Sequence, residues 1–86
     1  MLSSGTVDSR TLADTVSRLR LRLGLAVGDL SAKSGVPEHV LRAIEGGDPY
    51  VPSEANTVKL AHALRVPAAT LLAQRELRAR VLWQAT

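Results

Sequence analysis

Apolar residues recur along the chain at the three- and four-residue spacing of helices, and no segment alternates between apolar and polar residues as a half-buried strand does. Thr11 followed by Asp14 has the spacing of a capping box, which predicts the start of a first helix. Gly24 is the type of residue at which a helix ends. Between them, one face of this helix carries four apolar residues: Leu12, Val16, Leu19 and Leu23.

The stretch from Gly24 to Gly47 predicts two further short helices with a corner between them. The first covers residues 29–34, after a poor start in which Ala26 replaces the usual capping residue. A corner at Gly35-Val36-Pro37 leads to a helix from Pro37 to Glu45, with the proline at the first helical position. Two short helices that meet at a glycine-containing turn are the sequence form of a helix-turn-helix.

On a helical wheel this third helix has one apolar face and one polar face. The apolar half holds Pro37, Val40, Leu41 and Ile44. The other half presents Glu38, His39, Arg42 and Ala43. We therefore expect the first group to be buried and the second group to face a partner or the solvent.

Two more helices complete the chain. Ser53 is a good N-cap for a fourth helix with Val58, Ala61 and Leu64 on its apolar face, and a fifth follows Pro67. The sequence thus predicts an all-α fold, a compact bundle of five helices containing a helix-turn-helix. We assign residues 1–8 to a flexible N-terminal arm, residues 9–73 to the helix-turn-helix domain and residues 74–86 to a C-terminal helical extension.

Composition narrows the class of protein. The 86 residues make one small domain, with no cysteine for disulfides or thiolate metal sites and no apolar run of membrane-spanning length. With two histidines, no glycine-rich phosphate loop and no metal-ligand spacing, we predict no enzyme activity, no metal and no cofactor. We also expect no signal peptide and no membrane partner, hence a cytoplasmic protein.

The net charge of +3 is unevenly distributed. Bases outnumber acids before Leu25 and after Pro67, whereas acids outnumber bases between these positions. The basic residues therefore belong to the first and last helices rather than to the helix-turn-helix, so the charge alone is weak support for nucleic-acid binding.

The order and spacing of the elements resemble the lambda-repressor and Cro-like family, also called the xenobiotic response element family, over roughly Leu12 to Leu72. In the first three helices the residues that carry the resemblance are Leu12, Val16, Arg18, Leu19, Arg20, Gly24, Leu25, Leu30, Gly35, Val36, Leu41, Ile44, Glu45 and Gly47. In the later helices they are Pro52, Ser53, Lys59, Leu60, Ala61, Ala63, Leu64, Val66, Leu71 and Leu72. The resemblance implies a lambda-repressor-like DNA-binding domain whose third helix enters the major groove.

The resemblance also implies a set of DNA contacts, carried over position by position. The residues expected at base edges are Glu38, His39, Arg42 and Ala43. The residues expected near the DNA backbone are Arg20, Val27, Gly28, Val40, Asn56 and Thr57. In this family the position of Arg20 commonly pairs with that of Glu45, so an intramolecular salt bridge is expected there.

The chain departs from the family pattern where phosphates would be bound. Ala26-Val27 stands where the family often has Ser-Gln, and Val40 replaces a Ser or Thr, although a valine can still meet a thymine methyl. The basic residues that often follow the third helix are replaced by Gly46-Gly47-Asp48. Arg42 is therefore the best candidate for reading a base, through guanine O6 and N7.

We predict a sequence-specific regulator that binds double-stranded DNA, a small repressor of Cro or phage-immunity type that acts by occupying an operator. It needs no small-molecule ligand, and a homodimer on two half-sites is expected because one helix makes few contacts. The alternative is a helix-turn-helix module used for protein–protein interaction, as in an antitoxin or an antirepressor.

The C-terminal extension leaves two interpretations open. Its apolar residues either pack on the first helix of the same chain or form a dimer contact, and they are Leu77, Val81, Leu82 and Trp83. Its arginines make either a solvated face or extra phosphate contacts, and they are Arg75, Arg78 and Arg80.

Overall fold

The computed structural model describes residues 11–85 of the chain, and the side chains of residues 11–82. The predicted arm at residues 1–8 and the side chain of Trp83 therefore lie outside the described residues. Within the described range the chain forms five helices and no strand. The radius of gyration is 12.6 Å, close to the value of about 12 Å expected for a compact domain of this length.

The first helix, α1, spans Leu12–Arg22, and its ends match the signals in the sequence. The side chain of Thr11 accepts a hydrogen bond from the backbone N–H of Asp14 at 3.1 Å, which satisfies one of the N–H groups that a helix start leaves unpaired. After the helix, Gly24 turns the chain with a φ of +71°, a conformation that glycine adopts at no steric cost. Leu23 falls in this turn and is 38% exposed rather than part of the apolar face.

Two short helices follow, α2 at Val27–Ser34 and α3 at Glu38–Glu45. The predicted start of α2 at Asp29 was two residues late. The Asp29 side chain accepts a hydrogen bond from the backbone N–H of Ala26 at 2.9 Å, and this contact ties the helix start together although alanine cannot cap it. The prediction that Pro37 is the first residue of α3 was also wrong, because its ψ of 145° is extended and the residue precedes the helix.

The three residues between α2 and α3 form a tightly bonded turn. Gly35 ends α2 with a φ of +81°. The Ser31 hydroxyl donates to the carbonyl of Val36 at 2.7 Å, and the Ser34 hydroxyl accepts from the N–H of Val36 at 3.1 Å. Because Val36 is also fully buried, the angle between the two helices is held by both packing and hydrogen bonds.

The chain then forms α4 at Glu54–Leu64 and α5 at Ala68–Ala85. Ser53 caps α4, since its side chain accepts from the N–H of Asn56 at 3.0 Å. α5 continues without a break through residues 73 and 74, where the sequence suggests a division between domain and extension. That division stays a prediction.

One aliphatic core joins the five helices. α3 packs on α1 and α2, α2 also packs on α4, and α5 lies along α4 with a second contact to α1. The fully buried large apolar side chains come from every helix and from the turn, and they are Leu12, Val16, Leu30, Val36, Leu41, Ile44, Leu60 and Leu71. The apolar half predicted for α3 faces this core through Val40, Leu41 and Ile44. Pro37, expected to be buried with them, precedes the helix and is exposed.

Candidate nucleic-acid interface

The outward face of α3 carries the residues that the sequence assigns to base contacts. Glu38, His39 and Arg42 are exposed, whereas Ala43 is only half-buried. The opposite side of the same helix is buried through Val40, Leu41 and Ile44. An eight-residue helix anchored along one side leaves the other side free to enter a groove.

Arg42 is held by a carboxylate one helical turn earlier. Its Nη2 donates to Oε2 of Glu38, and the two side chains are 63% and 45% exposed. An exposed pair at this spacing contributes only about 0.3–0.5 kcal/mol, so a partner with suitable acceptors can separate the two residues at little cost. The Arg42 guanidinium, the candidate for reading a base, is thus oriented along the helix by Glu38 but can leave this pair.

Glu38 also lies beside the start of α2. A Cβ atom built on Gly28 would lie 3.7 Å from Oε2 of Glu38. Val27 is half-buried and Gly28 is exposed, and the first turn of a helix leaves N–H groups without intrahelical partners. The start of α2 and the outward face of α3 therefore form one continuous surface, with a carboxylate at the junction.

Arg20 joins α1 to the end of α3. Its Nε donates to Oε2 of Glu45 at 2.8 Å and its Nη2 to Oε1 at 2.9 Å, while its Nη1 donates to the carbonyl of Leu25 at 2.8 Å. The Arg20 and Glu45 side chains are only 14% and 12% exposed. The hydrogen bonds that Arg20 donates to Glu45 raise the pKa of Arg20 above its ordinary value and keep the guanidinium charged.

Two residues assigned to the DNA backbone are instead buried, and these assignments are corrected. Val40 is 5% exposed and Thr57 is fully buried. The Thr57 hydroxyl is already used, since Oγ1 donates to the carbonyl of Ser53 at 2.8 Å. Asn56 remains half-buried at the start of α4, where its backbone N–H is bound by the Ser53 side chain. A side chain that faces the core cannot reach a phosphate.

The apolar residues of the C-terminal half of α5 border a groove. Leu77 and Val81 are 45% and 63% exposed, and Leu82 is half-buried. The groove has a volume of about 420 Å³, and its other walls come from the start of α1 and from Gly47-Asp48. α5 contacts α1, but Leu77 and Val81 stay exposed beside the groove. The two interpretations of the extension, packing on α1 and a dimer contact, therefore both stay open. The dimer contact stays a prediction.

Two arginines of α5 make contacts that the sequence does not reveal. Arg75 donates through Nε to the carbonyl of Pro52 at 2.7 Å, and Arg78 donates to main-chain carbonyls of α3 and of the loop after it. Neither side chain belongs to a solvated face, so that interpretation is wrong for both residues; Arg80 is exposed. Burial lowers the pKa of Arg78, and the nearby Asp48 charge opposes that shift.

Two further findings apply to the described part of the chain. No three histidine, aspartate or glutamate side chains within it come together as metal ligands would. None of its helices is long and apolar enough to cross a membrane.

Comparison with known proteins found no relative of this chain. No protein-family model matches the chain, and no curated protein and no solved structure matches it either. The functional interpretation therefore depends on the residues and geometry described above.

Proposed function

We propose that the chain is a sequence-specific regulator that binds double-stranded DNA through a helix-turn-helix of lambda-repressor and Cro type. In this proposal α2 lies across the DNA backbone and α3 lies in the major groove. The protein acts as a repressor by occupying an operator, without chemistry and without a cofactor.

The observation that carries the proposal is the arrangement of α2, α3 and the turn between them. The turn is held by hydrogen bonds to Val36, and α3 buries one side while it presents Glu38, His39 and Arg42 on the other. The Arg20–Glu45 pair fixes the end of α3 to α1. A rigid, half-exposed helix on a small scaffold is what insertion into a groove about 12 Å wide requires.

The proposed roles on α3 follow from hydrogen-bonding chemistry. Arg42 donates to O6 and N7 of a guanine, and His39 donates to the same kind of acceptor. Glu38 accepts from cytosine N4 and is repelled by phosphates. Around them, the N–H groups at the start of α2 meet a phosphate, and Arg20 contributes to the backbone contact mainly by holding the two helices together.

A homodimer completes the proposal. One short helix reads only a few base pairs, so useful discrimination requires two copies on half-sites about one helical turn apart. The exposed Leu77 and Val81 beside the groove are suited to such a contact, because exposed apolar side chains gain free energy when a partner covers them.

The test is a selection from genomic DNA fragments followed by a salt titration on the selected duplex. We expect recovery of a short palindromic site, whose affinity falls steeply between about 50 mM and 200 mM salt, with a slope of about −0.9 for each phosphate neutralised. A scrambled duplex of equal length is the control. Failure to bind any duplex at low salt would sink the proposal.

A protein-interaction module is the second candidate. It is favoured by the acidic groups at the proposed interface, since Asp29 and Glu38 are exposed there and Asp48 follows α3. A partner with a basic, groove-filling segment would suit that surface better than phosphates do. The same selection separates the two functions, because an interaction module enriches no DNA sequence.

A further inference from the structure

We propose that Arg78 is a positioning residue for α3: it holds the C-terminal end of the recognition helix from α5, so that discrimination between DNA sequences depends on it. This inference rests on the proposed DNA-binding function. It concerns a residue whose guanidinium points to the protein's own backbone, although the sequence suggests a solvated face or a phosphate contact for it.

The guanidinium of Arg78 binds four main-chain carbonyls. Nη1 donates to Ile44 at 3.1 Å and Nη2 to Ala43 at 3.2 Å, both in the last turn of α3. Nη2 also donates to Asp48 at 2.9 Å, and Nε donates to Tyr50 at 2.7 Å. One side chain therefore joins α5 to the end of α3 and to the loop that follows it.

The electrostatics of this contact favour a cation. Carbonyl groups at a helix C-terminus carry partial negative charge, and an arginine there is stabilising. The planar guanidinium presents donors in a fixed fork, so it can reach diverging carbonyls that a lysine ammonium cannot bind together. Replacing the arginine would remove the hydrogen bonds from α5 to the end of α3. The apolar side of α3 would stay packed through Leu41 and Ile44.

α3 is short enough for this contact to matter. It has eight residues, and the polar contacts described between its end and other helices are Arg20 with Glu45 on the α1 side and Arg78 on the α5 side. Base contacts depend on the placement of side chains to a fraction of an ångström. Loss of one of the two ties should loosen the outward face without unfolding the core.

Arg75 and Ser53 supply matched controls. Arg75 lies one turn before Arg78 on the same helix and donates to the carbonyl of Pro52, outside α3. Ser53 caps α4, so replacing it with alanine costs stability without removing a hydrogen bond to the recognition helix.

The experiment compares full-length Arg78→Gln, Arg78→Lys, Arg75→Gln and Ser53→Ala with the wild-type chain. Amide hydrogen exchange is measured without DNA, at the N–H groups of Gly46, Gly47 and Asp48, which bond to carbonyls of α3. Affinity is measured for the selected operator and for a scrambled duplex.

We expect Arg78→Gln and Arg78→Lys to exchange faster at residues 46–48. We also expect both to lose about tenfold in the operator-to-scrambled ratio, the size of one lost base contact. Binding to the scrambled duplex should stay unchanged, because phosphate contacts carry no sequence information. Arg75→Gln and Ser53→Ala should keep the wild-type ratio.

Three results would overturn the inference: a wild-type ratio in folded Arg78→Gln, full recovery of both measurements in Arg78→Lys, or an equal loss in Ser53→Ala. The first would separate Arg78 from recognition, the second would show that charge alone suffices, and the third would reduce the effect to general stability. If the wild-type chain binds no duplex at all, the proposed function is refuted instead, and the exchange rates still decide whether Arg78 holds α3.

Discussion

Replacing Arg20 by alanine removes the ion pair between α1 and α3. The change deletes two hydrogen bonds to Glu45 and one to the carbonyl of Leu25, and it leaves the Glu45 carboxylate, 12% exposed, without its partner. Removing one member of a buried pair costs about 3–5 kcal/mol. Since both side chains keep some solvent contact, we expect a loss of about 2–4 kcal/mol in the free energy of unfolding.

In a domain of this size each kcal/mol shifts the melting temperature by about 4–8 °C. The Arg20→Ala variant should therefore melt about 8–32 °C below the wild-type chain. Circular dichroism at the helical minimum, followed with temperature and with urea, measures both quantities. Arg22→Ala is the matched control, because Arg22 is an exposed arginine of the same helix.

A double-mutant cycle separates the pair from each residue's other contacts. Arg20→Ala, Glu45→Ala and the double variant should yield a coupling free energy of at least about 1 kcal/mol. A coupling near zero, or an Arg20→Ala melting temperature equal to that of Arg22→Ala, would refute the bridge as a stabilising contact. The affinity for an operator should fall as well, since the placement of α3 depends on the same pair.

Three other substitutions test separate parts of the structure. Arg42→Ala should weaken operator preference by about 1–3 kcal/mol while leaving the melting temperature almost unchanged; unaltered site selectivity in a footprint would contradict this role. Gly35→Ala places a Cβ atom in open space but forces a φ of +81° on an alanine, so urea unfolding should show a loss of about 1–2 kcal/mol. Ser53→Ala removes the acceptor for the N–H of Asn56 and should lower the free energy of unfolding by about 1 kcal/mol. Amide protection should fall most at the start of α4, and an unchanged free energy of unfolding would contradict the cap.

The sequence predicts most of the fold because the signals involved are local. The caps at Thr11 and Ser53 and the turn at Gly35 depend on residues within a few positions of each other, and the structure confirms all three. Errors at the starts of α2 and α3 have the same local origin. A proline can either precede a helix or begin it, and only the backbone angle of Pro37, with its extended ψ, decides between the two.

The candidate site is less predictable because it depends on contacts across the chain. The helical wheel places Val40 on the apolar side of α3, whereas the family resemblance assigns it to the DNA backbone, and burial in the core agrees with the wheel. Arg78 contacts carbonyls that lie 28 to 35 positions earlier. Main-chain acceptors are the same for every residue type, so no motif in the sequence marks such a contact.

The distance along the chain between Arg78 and its acceptors also has a consequence for the order of folding. The contacts that α1, α2, α3 and α4 make with one another lie within the first 64 residues, so they can form before α5 docks on α4 and α1. The hydrogen bonds from Arg78 to the end of α3 form only when α5 has docked. During synthesis from the N-terminus, the helix proposed to read DNA therefore forms early and becomes fully fixed late.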